Sequence, residues 1–164
     1  MIMPEEPYKA KKIPDHWSDA EKRPVEGSII AVSGLRLYDR GTVLMHPRSR
    51  SFPKYSIVEI TLTDEQDANP GETINSVLYL GFFEVLTGGI VVVGESVNLN
   101  GTTIGAVAGF SDIHEPNHLN LIVKGNNKVS ESWMKNSKDG NIVETGIHLH
   151  STVVFGENRK NTIL

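Results

Sequence analysis

No cysteine occurs anywhere in the 164 residues, which removes thiolate metal ligands, a cysteine nucleophile and any disulfide framework from consideration. No apolar run approaches the ~20 residues that a membrane-spanning helix requires. The opening stretch "MIMPEEPYKAKKIPDHW" has no apolar segment of signal-peptide length. A soluble, cytoplasmic protein with no membrane partner is the expectation. Positive charge is scarce as well. Sixteen Lys and Arg against 20 Asp and Glu give a formal charge of −4, whereas nucleic-acid binders usually carry a basic excess. A nucleic-acid partner is therefore not expected. The G-x-S-x-G elbow of serine hydrolases is missing. So are the Walker and Rossmann loops, since "GGIVVVGES" lacks both the lysine and the following helix.

What remains reads as strands. "SIIAVSGLRLY", "GTVLMH", "YSIVEITL", "SVLYLGFFEVL", "GIVVVGESVNL", "TTIGAVAGF", "HLNLIVKG" and "GIHLHSTVVF" are rich in Val, Ile, Thr, Leu and aromatics, and Gly, Asn, Pro and Asp clusters separate them. Asn100-Gly101 predicts a type I′ hairpin, because both central residues of that turn need positive φ. A short helix is expected around Ser130 to Lys135, inside the loop "GNNKVSESWMKNSKDGN". Many short strands and almost no helix predict an all-β chain, a small closed or nearly closed antiparallel β-barrel, with a sandwich as the alternative. Residues 1–27 contain Pro4, Pro7, Pro14 and Pro24 and no periodicity, so they read as an extended polar arm. The barrel is placed at 28–157 and a polar tail at 158–164. Tyr8 and Trp17 suit an arm that packs on a neighbouring subunit, giving a homo-oligomer, or on its own barrel.

"HEPNH", His114 to His118, matches the H-E-x-x-H pattern, which on a helix sets two histidines on one face to hold zinc. Pro116 argues against that helix, since inside one it removes a backbone donor and clashes with the preceding turn at a cost of about 3 kcal/mol. Strand-like segments flank the motif on both sides, so it reads as a loop between strands. Two more imidazoles stand in "GIHLHSTVVF". On a strand, residues i and i+2 share a face, which places His148 with His150, opposite Ile147, Leu149, Ser151, Val153 and Phe155.

Imidazoles on extended backbone, completed from another loop, suit Zn, Fe, Mn or Ni. His114, His118, His148 and His150 are the candidate ligands, Glu115 the candidate ligand or general base, and Glu157 a further carboxylate. The alternative is equally simple: with the apolar residues turned to the core, His148 and His150 face solvent or another subunit. Asn117 and Asn120 are candidate ligand-binding residues beside His118, and Asn120 also suits a hydrogen-bonded interior. From Arg36 to Lys54 the chain carries Arg36, Arg40, Arg48, Arg50 and Lys54 against Asp39 alone. "HPRSRSFPK" is too polar for a strand and reads as a loop tip. Its Arg48 and Arg50 suit a small anionic ligand, because guanidinium forks match carboxylate and phosphate. A solvated loop is the plain alternative.

"GESVNLNGTTIGAVAGFSDIHEPNHLNLIVKG", residues 94–125, has a Gly-acid pair, a short hairpin, an Ile-x-x-Val-x-Gly strand, an Asn-rich loop, a His-Leu pair and an apolar strand ending in glycine. This order resembles the second half of the glucitol/sorbitol-specific IIA component of the bacterial phosphotransferase system, over about a fifth of the chain. The resemblance implies a small cytoplasmic β-barrel. It does not carry the family's phosphorylated histidine, because the corresponding strand "YSIVEITL" contains none. "HLHSTVVFGE" is also similar to the H-x-H…E order of cupins, but the glutamate comes seven residues after the second histidine and the glycine frame is missing.

Three readings follow. The chain is a small-molecule-binding barrel with a histidine-lined site, a metal-dependent enzyme using the same histidines, or an assembly subunit that oligomerises through its arm.

Overall fold

The computed structural model describes Glu5 and residues 22–156; Tyr8, Trp17, Glu157 and the tail 158–164 lie outside the described residues. The chain forms β1 (Val25–Leu37), β2 (Thr42–Val43), β3 (Ser49–Phe52), β4 (Ile57–Thr63), β5 (Thr73–Ile74), β6 (Val77–Thr87), β7 (Gly89–Val92), β8 (Ser96–Leu99), β9 (Thr102–Ser111), β10 (Leu119–Gly125) and β11 (Thr152–Phe155). A single helical turn α1 (Asn127–Val129) runs into a π-helical turn, Ser130–Met134, where the sequence predicts a short helix. Seven strands close into a barrel in the order β1-β11-β8-β9-β10-β4-β6, and β6 returns to β1.

All barrel pairings are antiparallel except one. β4 and β10 run parallel, Leu119 beside Val58 and Lys124 beside Thr63. Parallel strands are normally covered on both faces, and this pair is. Val58, Ile60, Leu62, Leu119, Leu121 and Val123 fill the interior. On the outside, the segment containing β2 and β5 folds back over the wall and adds a second small core, in which Leu44, Ala68 and Ile74 meet Val77, Tyr79, Ala108 and Ile122.

The barrel is packed solid. β3 pairs with β7 outside the barrel ring and drops Phe52 among Phe83, Phe110 and Phe155, with ring centroids 6.1–6.3 Å away. The outer surface is where the polar side chains of the wall gather. One backbone irregularity decides what that surface carries. At Gly81 (φ 147°) a Cβ would meet the Ala31 carbonyl oxygen at 2.1 Å, and the β4–β6 register shifts between Ile60 and Thr61. The shift changes the parity of β6: Leu78 and Leu80 point inward before it, Phe83 and Val85 after it. Phe82 is thereby left on the outer wall, opposite Glu59.

Several expectations need correction. β1 opens at Val25, inside the stretch assigned to the arm. "SRSF" is strand β3 rather than a loop tip, because its alternation buries Phe52 and β7 supplies its partner. The last strand is shorter than expected, starting at Thr152, so His148 and His150 stand in a turn and not on a strand face. As expected, residues 112–118 form a non-helical connection between β9 and β10, and the Asn100-Gly101 turn has φ of 49° and 81°.

Candidate metal centre

β4 alternates apolar and polar residues, and its polar positions Glu59, Thr61 and Thr63 all face outward yet are buried. A carboxylate is seldom buried without a partner, so Glu59 marks a special position. Its cross-strand neighbours are Phe82 on β6 and Asn120 on β10. Asn120 is fully buried and accepts a hydrogen bond from Thr61 Oγ1 at 2.8 Å. That bond ties β4 to β10 beside Glu59.

The 112–118 turn lies over this spot. His118, immediately before β10, shares the outward face with Asn120 and sets its ring edge-on to Phe82, with centroids 4.9 Å apart. His114 stacks on His118 at 4.9 Å. Backbone bonds from Asn117 N and His118 N to the His114 carbonyl close the turn. Both imidazoles reach the same carboxylate oxygen: His118 Nε2 lies 3.5 Å and His114 Nε2 3.9 Å from Glu59 Oε1. One ligand atom from each of the three residues falls within 4.8 Å of the others.

The electrostatics are unusual. His118 Nδ1 is 2.7 Å from Asn117 Oδ1; in the tautomer with its proton on Nδ1 the ring donates to that oxygen and Nε2 presents its lone pair to Glu59. Glu59 Oε1 and His118 Nε2 are both buried, and neither has a hydrogen-bond partner among the described residues. In that tautomer two acceptors face each other across 3.5 Å in a region where unpaired polar atoms each cost about 1–3 kcal/mol. A cation between them would satisfy both. For comparison, a tetrahedral ion with bonds of about 2.0–2.1 Å spaces its ligand atoms about 3.3 Å apart. The separations from Glu59 Oε1, 3.5 and 3.9 Å, are wider than this, and His114 is the most exposed of the three side chains.

A cleft of about 300 Å³ adjoins the cluster and shares His118 with it; Arg50, Ser56, Glu115 and Asn117 also line it. The residues expected from the sequence thus separate. His114 and His118 come together, while Glu115 and Asn117 stand at the cleft beside them. Glu115 pairs with Arg50 at 3.4 Å. Arg48 is half-buried and does not line the cleft. His148 and His150 are exposed, outside this cluster. His148 Nδ1 turns to Ser151 Oγ and the Leu149 carbonyl within its own turn, and His150 sits at φ 70°. Glu59 was not foreseen. The signal was available, a lone charge inside the apolar run "IVEITLT", but its meaning depends on which strand lies beside it.

A closed seven-stranded barrel with a two-histidine, one-carboxylate cluster on its outer wall defines the class. Residues 19–145, most of the chain, match the family of unknown function DUF6917, and the chain belongs to it. No curated protein and no solved structure matches it. No helix among the described residues is long and apolar enough to cross a membrane.

Proposed function

We propose that this protein binds one divalent transition-metal ion through Glu59, His114 and His118 and offers it to a small molecule in the adjoining cleft. The observation that carries this reading is the pair of buried atoms Glu59 Oε1 and His118 Nε2, which have no hydrogen-bond partner among the described residues and lie 3.5 Å apart with His114 Nε2 beside them. Two imidazoles and one carboxylate suit Zn or Fe(II), and three protein ligands leave at least one position for water or a substrate oxygen. Asn117 supports the arrangement by fixing the His118 tautomer, the usual work of an outer-shell partner. An ion held in this way polarises a bound oxygen or lowers the pKa of bound water.

Elemental analysis of the purified chain, before and after dialysis against Zn(II), Fe(II), Mn(II) or Ni(II), tests the proposal. One ion per chain is expected. It should be lost in the His114→Ala/His118→Ala variant and kept in the His148→Ala/His150→Ala variant. Failure of all four ions to bind, or binding that survives loss of His114 and His118, overturns the reading.

A further inference from the structure

Among the described residues, Arg50 is the only Lys or Arg lining the cleft, and Glu115 the only acid. Arg50 lies on β3 two residues before Phe52, so both side chains leave the same face of the strand. Phe52 is locked in the core, which fixes the strand that aims Arg50 at the cleft. The guanidinium rests against Met45, with Nη1 3.9 Å from Sδ, and Nη2 reaches Glu115 Oε1 at 3.4 Å. That single contact is long compared with the 2.7–2.9 Å of a charge-assisted hydrogen bond. Both side chains are about one-third exposed, where an ion pair contributes little. Glu115 is thus a weakly held counterion on a guanidinium whose fork is mostly unused.

We infer that Arg50 is the anchor for a small carboxylate ligand, whose carboxylate replaces Glu115 on the guanidinium while a second oxygen reaches the metal. This rests on the metal reading for the second contact only. At Arg50 itself a singly charged carboxylate fits better than a doubly charged phosphate, because one cationic side chain stands there among the described lining residues and the metal balances the ligand's second charge. Asn117 Oδ1 is engaged by His118, which leaves the amide N–H groups of Asn117 as further donors on the same wall. The volume, about 300 Å³, falls at the small end of the range for ligand pockets, so the ligand is a compact metabolite.

The test is calorimetric titration of the Zn(II)-loaded protein with malate, succinate and inorganic phosphate, on wild type, Arg50→Met and Glu115→Gln. Zinc content is measured in each sample. Malate, with a hydroxyl next to a carboxylate, is expected to bind best. Arg50→Met should weaken it at least tenfold with zinc retained, and Glu115→Gln should tighten it, because the internal competitor is gone. Equal malate binding by wild type and Arg50→Met at full zinc occupancy overturns the inference and leaves the metal site standing. Phosphate binding more tightly than either carboxylate overturns the assignment of ligand class, and so does the absence of binding by all three. Samples that take up no zinc count against the metal site instead. Arg50-dependent malate binding in them still supports the anchor.

Discussion

Replacing Glu59 by glutamine should move stability in opposite directions depending on metal. Glu59 Oε1 and His118 Nε2 face each other at 3.5 Å, buried and without hydrogen-bond partners among the described residues. Glutamine keeps the shape, removes the buried charge and brings an N–H that can donate to His118 Nε2. The gain is that of relieving one unsatisfied buried group and adding one hydrogen bond, about 1 kcal/mol net. For a domain of this size that raises Tm by about 2–4 °C. With metal the order reverses. Ion at a hundredfold excess over Kd stabilises the wild type by about 2.7 kcal/mol, on the order of 5–10 °C, and the variant loses a charged ligand and most of that gain. Thermal melts of both proteins, with chelator and with Zn(II), give the four values required. If Glu59→Gln melts below wild type in chelator, Glu59 is instead the counterion of a protonated His118, and the account of two opposed acceptors is wrong. Equal zinc-induced shifts in the two proteins would refute it from the other side.

Three further predictions concern the surroundings. Asn117→Ala should leave the fold intact and weaken zinc binding by about 10–100-fold, as loss of an outer-shell partner does; competition with a chromophoric chelator measures it. Lys22→Met should destabilise the protein by about 3–5 kcal/mol in urea melts. It strands the fully buried Glu95, whose Oε2 is 2.8 Å from Lys22 Nζ, while Oε1 keeps its bond from Val92 N; a loss below about 1 kcal/mol would show the pair to be dispensable. Gly81→Ala should abolish the native fold or cost several kcal/mol, because its Cβ would lie 2.1 Å from the Ala31 carbonyl oxygen at a φ of 147°. Circular dichroism and solubility read the outcome, and a normally folded variant would remove the bulge from the argument.

The composition and local pattern of this chain were enough for its class. Alternating β-branched residues, the Asn100-Gly101 turn and Pro116 in "HEPNH" predict strands, a hairpin and a non-helical connection, and each is observed. These are nearest-neighbour effects, fixed by φ preferences and by the two-residue period of a strand. His114 and His118 were legible for the same reason, being four residues apart in one turn. What the sequence could not decide was pairing. Nothing local to "YSIVEITL" says that β4 lies parallel to β10, and only that pairing brings Glu59 under His118. Likewise the alternation of "GIHLHSTVVF" suggested one long strand, but β8 offers partners only to Val153–Phe155, leaving His148 and His150 in a turn. A strand's hydrogen bonds and the far face of its side chains are completed by residues distant in the chain. Which side chains meet in this cluster was therefore decided by tertiary structure, and the strand and turn that carry them by sequence alone.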